Sequence, residues 1–206
     1  IATRDLSIRG AGDILGSEQA GFIDSVGIDL YLKLLNEEVA RKQNIKLFED
    51  SEVDEAKPLL NVSTHIDDGY VIEDDLKIEI HRKINEIDSK EKLVEVRKEL
   101  EDRFGRISED MLIYMYEEWF EKLANKVGLK RVCQTKNSIE LIFPEKFVAK
   151  IKVDELFMDS YDISPSFRFL SRGSNLVIIL DIIKLEKHPI YYLTSLLDLI
   201  YHKFWG

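Results

Sequence analysis

The chain has 206 residues, with 29 basic and 39 acidic side chains and a formal net charge of −10 at pH 7. Its 45% hydrophobic and 33% charged residues are typical of a globular protein and exclude a wholly disordered or fibrous chain. The net charge argues against a general nucleic-acid-binding surface, which needs clustered lysine and arginine to neutralise phosphates. The sequence contains neither an apolar run long enough to span a membrane nor a signal-peptide pattern.

The opening of the chain has an unusual glycine distribution. Five of the ten glycines fall within the first 27 residues, which predicts short helical pieces joined by tight turns. Arg4, Arg9 and Gln19 lie among them, and arginine and glutamine side chains suit contact with phosphate or carboxylate groups. Taken alone, the segment fits equally well a solvated loop between helices and a mobile loop that touches a ligand.

A helix predicted over residues 25–42 follows, and then an acidic run over residues 49–55 with five carboxylates in seven positions. Runs of like charge resist burial and usually form solvated linkers, so we place a domain boundary there. The chain begins at Ile1 without an initiator methionine, and we therefore expect it to be processed or cut from a longer protein. Its one cysteine, Cys133, gives no sign of an oxidising compartment, and we expect a cytoplasmic protein.

The remainder predicts an α+β fold. Apolar residues recur at helical spacing over residues 73–87, 91–104 and 109–127, with Ser108 as the N-cap of the third helix and Gly105 and Gly128 after the second and third. Alternating residues then predict two β-hairpins, over 131–143 and 166–183, with a short helix near 153–158 between them. Pro189 opens a closing amphipathic helix. The predicted architecture is an N-terminal helical segment followed by a compact domain of three helices, antiparallel hairpins and a closing helix.

Chemistry-bearing residues are sparse. The four histidines lack metal-ligand spacing, and Cys133, in a predicted strand, fits a buried apolar position better than a nucleophile. The sequence has no phosphate-binding loop and no nucleophile elbow. We therefore predict no catalytic residue and no metal ligand. On the third helix we expect Trp119 in the core and Tyr114, Tyr116 and Phe120 on a partner surface.

Residues 4–21 read R-D-L-x-I-R-G-x-G-x-x-L-G-x-x-Q-x-G. This pattern resembles the translocation (TRG) motif shared by RecG-type helicases and the bacterial transcription-repair coupling factor (Mfd) family. The continuation through residues 22–35 is similar to the latter family. So are residues 70–76, the stretch E-L-E-D-R-F-G at 99–105, and A-N-K-V-G-L-K at 124–130.

The resemblance implies three regions: residues 1–43 as the end of a RecG-like translocase domain with its TRG motif, 44–56 as the acidic linker, and 57–206 as a C-terminal TRCF regulatory domain. It further implies that the TRG segment couples ATP hydrolysis to translocation on duplex DNA. The implied coupling residues are Arg9, Gln19, Arg4, Gly10, Gly12 and Gly16.

Members of this family displace stalled RNA polymerase and recruit the excision-repair protein UvrA. The resemblance implies that the terminal domain docks on a UvrB-like domain of the same long chain, masks the UvrA-recruiting surface and restrains the motor. ATP and magnesium are then cofactors of the parent protein, and we expect none in this fragment, which should hydrolyse nothing alone. Two alternatives remain at this point: a standalone protein–protein interaction domain that binds through the closing helix or the Trp119 helix, and a small independent enzyme.

Overall fold

The computed structural model of the protein describes residues 66–206. Within them the chain forms two compact units, a helical unit (residues 66–129 and 184–206) and a sheet unit (residues 130–183). Helices together with an antiparallel sheet confirm the predicted α+β class. The predicted boundaries at residues 43 and 56 and the predicted helix at 25–42 lie outside the described residues. In residues 66–206 no helix combines the length and apolar composition needed to cross a membrane.

The elements follow the predicted order. In the described part of the chain they are α1 (Asp74–Asn85), α2 (Lys90–Phe104), α3 (Glu109–Val127), β1 (Arg131–Gln134), β2 (Ser138–Phe143), α4 (Glu145–Val148), α5 (Val153–Ile163), β3 (Phe167–Arg172), β4 (Asn175–Asp181), α6 (Pro189–Ile200) and a π-helical turn (Tyr201–Trp205).

The helix boundaries in the helical unit follow from local capping chemistry. The Ser108 hydroxyl accepts the Met111 backbone N–H at 3.2 Å, which satisfies one of the orphan donors at the start of α3 and confirms the predicted N-cap. Ser89 accepts the Lys92 N–H in the same way and starts α2. Gly128 ends α3 with φ of +75°, a left-handed conformation that glycine adopts without strain.

Two predicted helix boundaries were wrong, and one short helix was not predicted. Helix α1 ends at Asn85 rather than at Ile87, because the chain must become extended at Ser89 to cap α2. Helix α5 continues past residue 158 to Ile163. Helix α4 was not predicted, since four residues after Pro144 are too few to show a helical period.

The sheet unit is built on a four-stranded antiparallel sheet of order β1-β2-β4-β3. Both predicted hairpins are present: β1 pairs with β2 and β3 with β4, and the second turns at Gly173, where φ is +65°. The two hairpins join through β2 and β4, with Leu141 opposite Ile178. Nearly every residue of these central strands is buried.

Aromatic contacts join the two short helices of the sheet unit to its strands. Phe147 of α4 stacks on Phe143 of β2 with ring centroids 4.1 Å apart. Phe157 of α5 meets Phe169 of β3 edge-on at 5.3 Å. All four rings are buried, so α4 and α5 contribute to the core of this unit.

Helix α3 is buried over most of its circumference. The expectation that Tyr114 and Phe120 lie on a partner surface was wrong, since these side chains are only 4% and 0% exposed. The expected core position of Trp119 is confirmed, and Tyr116 is half-buried. A single apolar stripe identifies one face of such a helix and misses the others.

Candidate protein-docking surface

The residues for which the sequence predicted a coupling role lie outside the described part of the chain. These residues are Arg4, Arg9, Gly10, Gly12, Gly16 and Gln19. Their role stays a prediction, and the described residues present a surface of a different kind.

A groove of about 510 Å³ lies in the helical unit, between the start of α2, the middle of α3 and the end of α6. Its aromatic and apolar wall is formed by Tyr116, Trp119 and Leu199, and charged side chains contribute the rest of the lining. The full lining is Lys90, Tyr116, Trp119, Ser195, Asp198, Leu199, His202 and Lys203. The two helices that the sequence offered as alternative partner surfaces therefore meet in one groove.

The aromatic wall is held in place by ring contacts. Tyr116 lies edge-on against Tyr191 with ring centroids 4.8 Å apart, and its ring is 5.8 Å from that of Trp119. The Thr194 hydroxyl donates to the Tyr116 carbonyl at 3.5 Å, tying α6 to α3. The buried indole Nε1–H of Trp119 has no acceptor among the described residues. A buried donor without an acceptor costs folding free energy.

The carboxylate of the groove is paired within its own helix. Asp198 Oδ1 lies 3.2 Å from His202 Nε2, one helical turn later. Burial raises the pKa of Asp198, and His202 opposes that rise. Glu91 and Lys90, at the start of α2, act on the same carboxyl in opposite directions. The other charged lining residues are Lys90 and Lys203, so the lining carries two lysines and one carboxylate on a strongly acidic chain.

A separate network of ion pairs, which we call the α1–α2 clasp, connects helix α1 to helix α2. The Arg103 guanidinium binds both carboxylate oxygens of Glu79, at 2.6 and 3.3 Å, and Lys83 lies 3.1 Å from Glu99. The hydrogen bond from Arg103 holds the pKa of Glu79 below its usual range. Because these side chains are partly exposed, each pair contributes little stability by itself.

Glu117 is the most perturbed carboxyl group of the helical unit among the described residues. It is 5% exposed, and its Oε2 has no hydrogen-bond partner there. Burial first, and then the charges of Glu121 and Glu118, raise its pKa to about 8. Glu117 is therefore mainly protonated at neutral pH.

The described residues show little that resembles a reaction centre. No group of three or more His, Cys, Asp or Glu within residues 66–206 is placed to hold a metal ion. Cys133 is buried in β1. His81 lies 3.0 Å from the Tyr114 hydroxyl, and His188 accepts the Ile190 N–H at the start of α6. Both histidines thus make structural contacts.

Comparison with known proteins identifies a matching domain family and several related proteins. The family model of the TRCF domain matches residues 60–154. A transcription-repair-coupling factor of Staphylococcus haemolyticus is 36% identical over 159 residues, which covers 76% of this chain and 13% of that protein. That of Staphylococcus aureus (strain USA300) is 44% identical over 105 residues, covering 51% of this chain and 9% of that protein.

The crystal structure of the C-terminal domain of a transcription-repair coupling factor has a similar fold. The TM-score is 0.62 at 19% sequence identity, over 71% of this chain and 91% of that one. The described fold is therefore that of a TRCF-type α+β domain. The resemblance to the transcription-repair coupling factors is confirmed, because the chain carries a TRCF domain and is related to proteins of that name. It spans 9–13% of the length of those curated relatives.

The sequence analysis did not single out the charged residues of the groove. Asp198 and His202 carry a weak signal, because an acid and a histidine four residues apart on a predicted helix are expected to meet. Lys90 and Lys203 carry none, since only the packed fold brings the start of α2 to the end of α6.

Proposed function

We propose that this chain is the C-terminal part of an ATP-dependent DNA translocase that displaces stalled RNA polymerase and recruits excision repair. In this proposal residues 57–206 are a non-catalytic regulatory module that docks on a UvrB-like domain of the parent protein and masks its UvrA-recruiting surface. The observation that carries the proposal is the match of residues 60–154 to the TRCF domain, supported by relatives named transcription-repair-coupling factors.

The described geometry is compatible with a binding role. Most described ion pairs, such as Glu79 with Arg103, join partly exposed side chains, and the groove at Trp119 is open and aromatic-walled. Protein-binding modules present such surfaces. A standalone interaction domain without a motor is favoured by the same groove, and it predicts binding that needs no parent protein.

ATP, magnesium and duplex DNA enter the proposal through the parent protein. The sequence of this chain has no G-x-x-x-x-G-K-[ST] loop to cradle nucleotide phosphates, so we assign nucleotide binding to other parts of the parent. A cytoplasmic location follows from a role on DNA and RNA polymerase.

The regulatory role is tested by binding and by deletion. The 206-residue chain should bind the separately expressed UvrB-like domain of its parent in a calorimetric titration. Removal of all residues after Asp54 from the full-length protein should raise its basal ATPase rate or its affinity for DNA. Absence of binding, together with unchanged ATPase and DNA affinity, would contradict the regulatory role.

The coupling role proposed for the opening segment needs a separate test. Arg9→Ala in the full-length protein should retain ATPase activity and lose translocation and RNA polymerase displacement, because the TRG segment would no longer couple hydrolysis to movement. Arg41→Ala, which lies outside the motif, is the matched control and should displace polymerase normally. Normal displacement by Arg9→Ala would remove Arg9 from this role.

A further inference from the structure

The aromatic-walled groove of the helical unit combines three properties that point to one kind of ligand. It has an aromatic and apolar wall, lysines at the start of α2 and just after α6, and a single carboxylate that already lies close to a histidine. Docking on a UvrB-like domain does not by itself define which ligand this groove binds.

We propose that this groove, lined by Lys90, Trp119, Leu199 and Lys203, binds a short acidic segment of a partner protein that carries an apolar residue pair. The apolar pair packs against Trp119 and Leu199. Carboxylates of the segment lie against the ammonium groups of Lys90 and Lys203.

The charge pattern selects an acidic ligand. Asp198, the carboxylate among the lining residues, already faces His202 at 3.2 Å. Lys90 is exposed and makes no ion pair within 4 Å among residues 66–206. Lys90 is also the first residue of α2, where the aligned backbone dipoles of the helix favour a negative charge. Glu91 beside it weakens this preference and keeps the expected affinity moderate.

The aromatic wall selects a protein segment rather than a free anion. Tyr116 and Leu199 are half-exposed, so the groove presents apolar surface that a simple anion would leave uncovered. A segment that inserts apolar side chains covers that surface, as the aromatic and apolar cores of protein interfaces do.

Nucleic acid fits the groove less well. Two lysines neutralise few phosphates, and the net charge of −10 repels a polyanion that extends beyond the groove. A short acidic peptide meets the same repulsion over a smaller length, because it does not extend far beyond the groove. Duplex DNA is accordingly the competing ligand in the test.

The test uses the 206-residue chain and fluorescein-labelled peptides followed by fluorescence anisotropy. The peptide DEDLFDED should bind with a Kd of about 10–100 μM. Its amide counterpart NQNLFNQN and its counterpart without an apolar pair, DEDGSDED, should each bind at least about tenfold more weakly. Binding should weaken with added salt, because the contacts with the lysines are exposed.

Charge reversal locates the site. The double variant Lys90→Glu/Lys203→Glu should weaken binding of DEDLFDED by at least about tenfold. The control, Lys98→Glu, reverses an exposed lysine of the same helix α2 that does not line the groove, and it should leave the affinity unchanged. Circular dichroism of each variant verifies that the fold is intact.

Four results would overturn the proposal. They are no binding of the acidic peptide, equal binding of the amide peptide, equal loss in Lys98→Glu, and tighter binding of a short DNA duplex that is lost in the same double variant. The UvrB-like domain is absent from all of these measurements. A negative peptide-binding result therefore does not contradict the proposed regulatory function. A negative result with the UvrB-like domain likewise does not contradict peptide binding in the groove.

Discussion

Replacement of Glu117 by glutamine should change how the stability of the protein depends on pH. Its pKa is raised from 4.5 to about 8 in the folded chain, chiefly by burial. Between these two values the unfolded chain has released the proton and the folded chain still holds it. Folded stability therefore falls as pH rises from about 4.5 and becomes level above about 8.

The size of the effect follows from the shift. Between the unfolded and folded pKa values, each rise of one pH unit lowers the free energy of unfolding by about 1.4 kcal/mol. Glu117 therefore lowers it by about 3 kcal/mol between pH 5 and 7.5. Glutamine has nearly the same shape and does not titrate. The stability of Glu117→Gln relative to the unsubstituted chain should therefore rise by about 3 kcal/mol over that range.

Urea unfolding followed by circular dichroism at a series of pH values measures this difference. Glu121→Gln is the matched control: it removes a neighbouring charge that raises the pKa of Glu117 and leaves the larger cause, burial, in place. The pH dependence of the unfolding free energy of Glu121→Gln should lie much nearer to that of the unsubstituted chain. Parallel pH dependence of Glu117→Gln and the unsubstituted chain would refute the assignment of a buried, protonated carboxyl.

Two further substitutions test the core and the sheet by the same unfolding assay. Phe120→Ala removes a fully buried ring from α3 and should cost about 3–5 kcal/mol, whereas a cost below about 1 kcal/mol would place Phe120 outside the core. Arg172→Ala should cost about 1–3 kcal/mol, because it removes the partly exposed cation that lies 3.0 Å from the buried Glu140 carboxylate. Adding Glu140→Gln to Arg172→Ala should restore part of that loss, and no restoration would show that the pair is not coupled.

Local chemistry explains which parts of the fold the sequence could predict. Ser108 and Gly128 bound α3 because a hydroxyl that accepts an orphan N–H and a residue that tolerates positive φ are needed at those positions. The second hairpin was predictable for the same reason at Gly173. These signals lie within a few residues of the structure they specify.

The remaining features depend on residues far apart in sequence. Tyr114 and Phe120 are buried because α3 is surrounded by packed structure, which a helical period cannot reveal. The groove joins Lys90 to Lys203 across more than half of the chain. Its charge pattern therefore becomes visible only when the helices are packed.

The length of α2 separates the groove from the ion pairs of the α1–α2 clasp. Lys90 begins the helix and Arg103 lies near its end, 13 residues later, which corresponds to about 20 Å along the axis. Screening at physiological salt acts over about 8 Å, so reversing the charge of Lys90 should leave the pairing of Arg103 with Glu79 unchanged. A loss of peptide binding in the Lys90→Glu/Lys203→Glu variant therefore reports on the groove itself, and the clasp that joins α1 to α2 stays intact while it is measured.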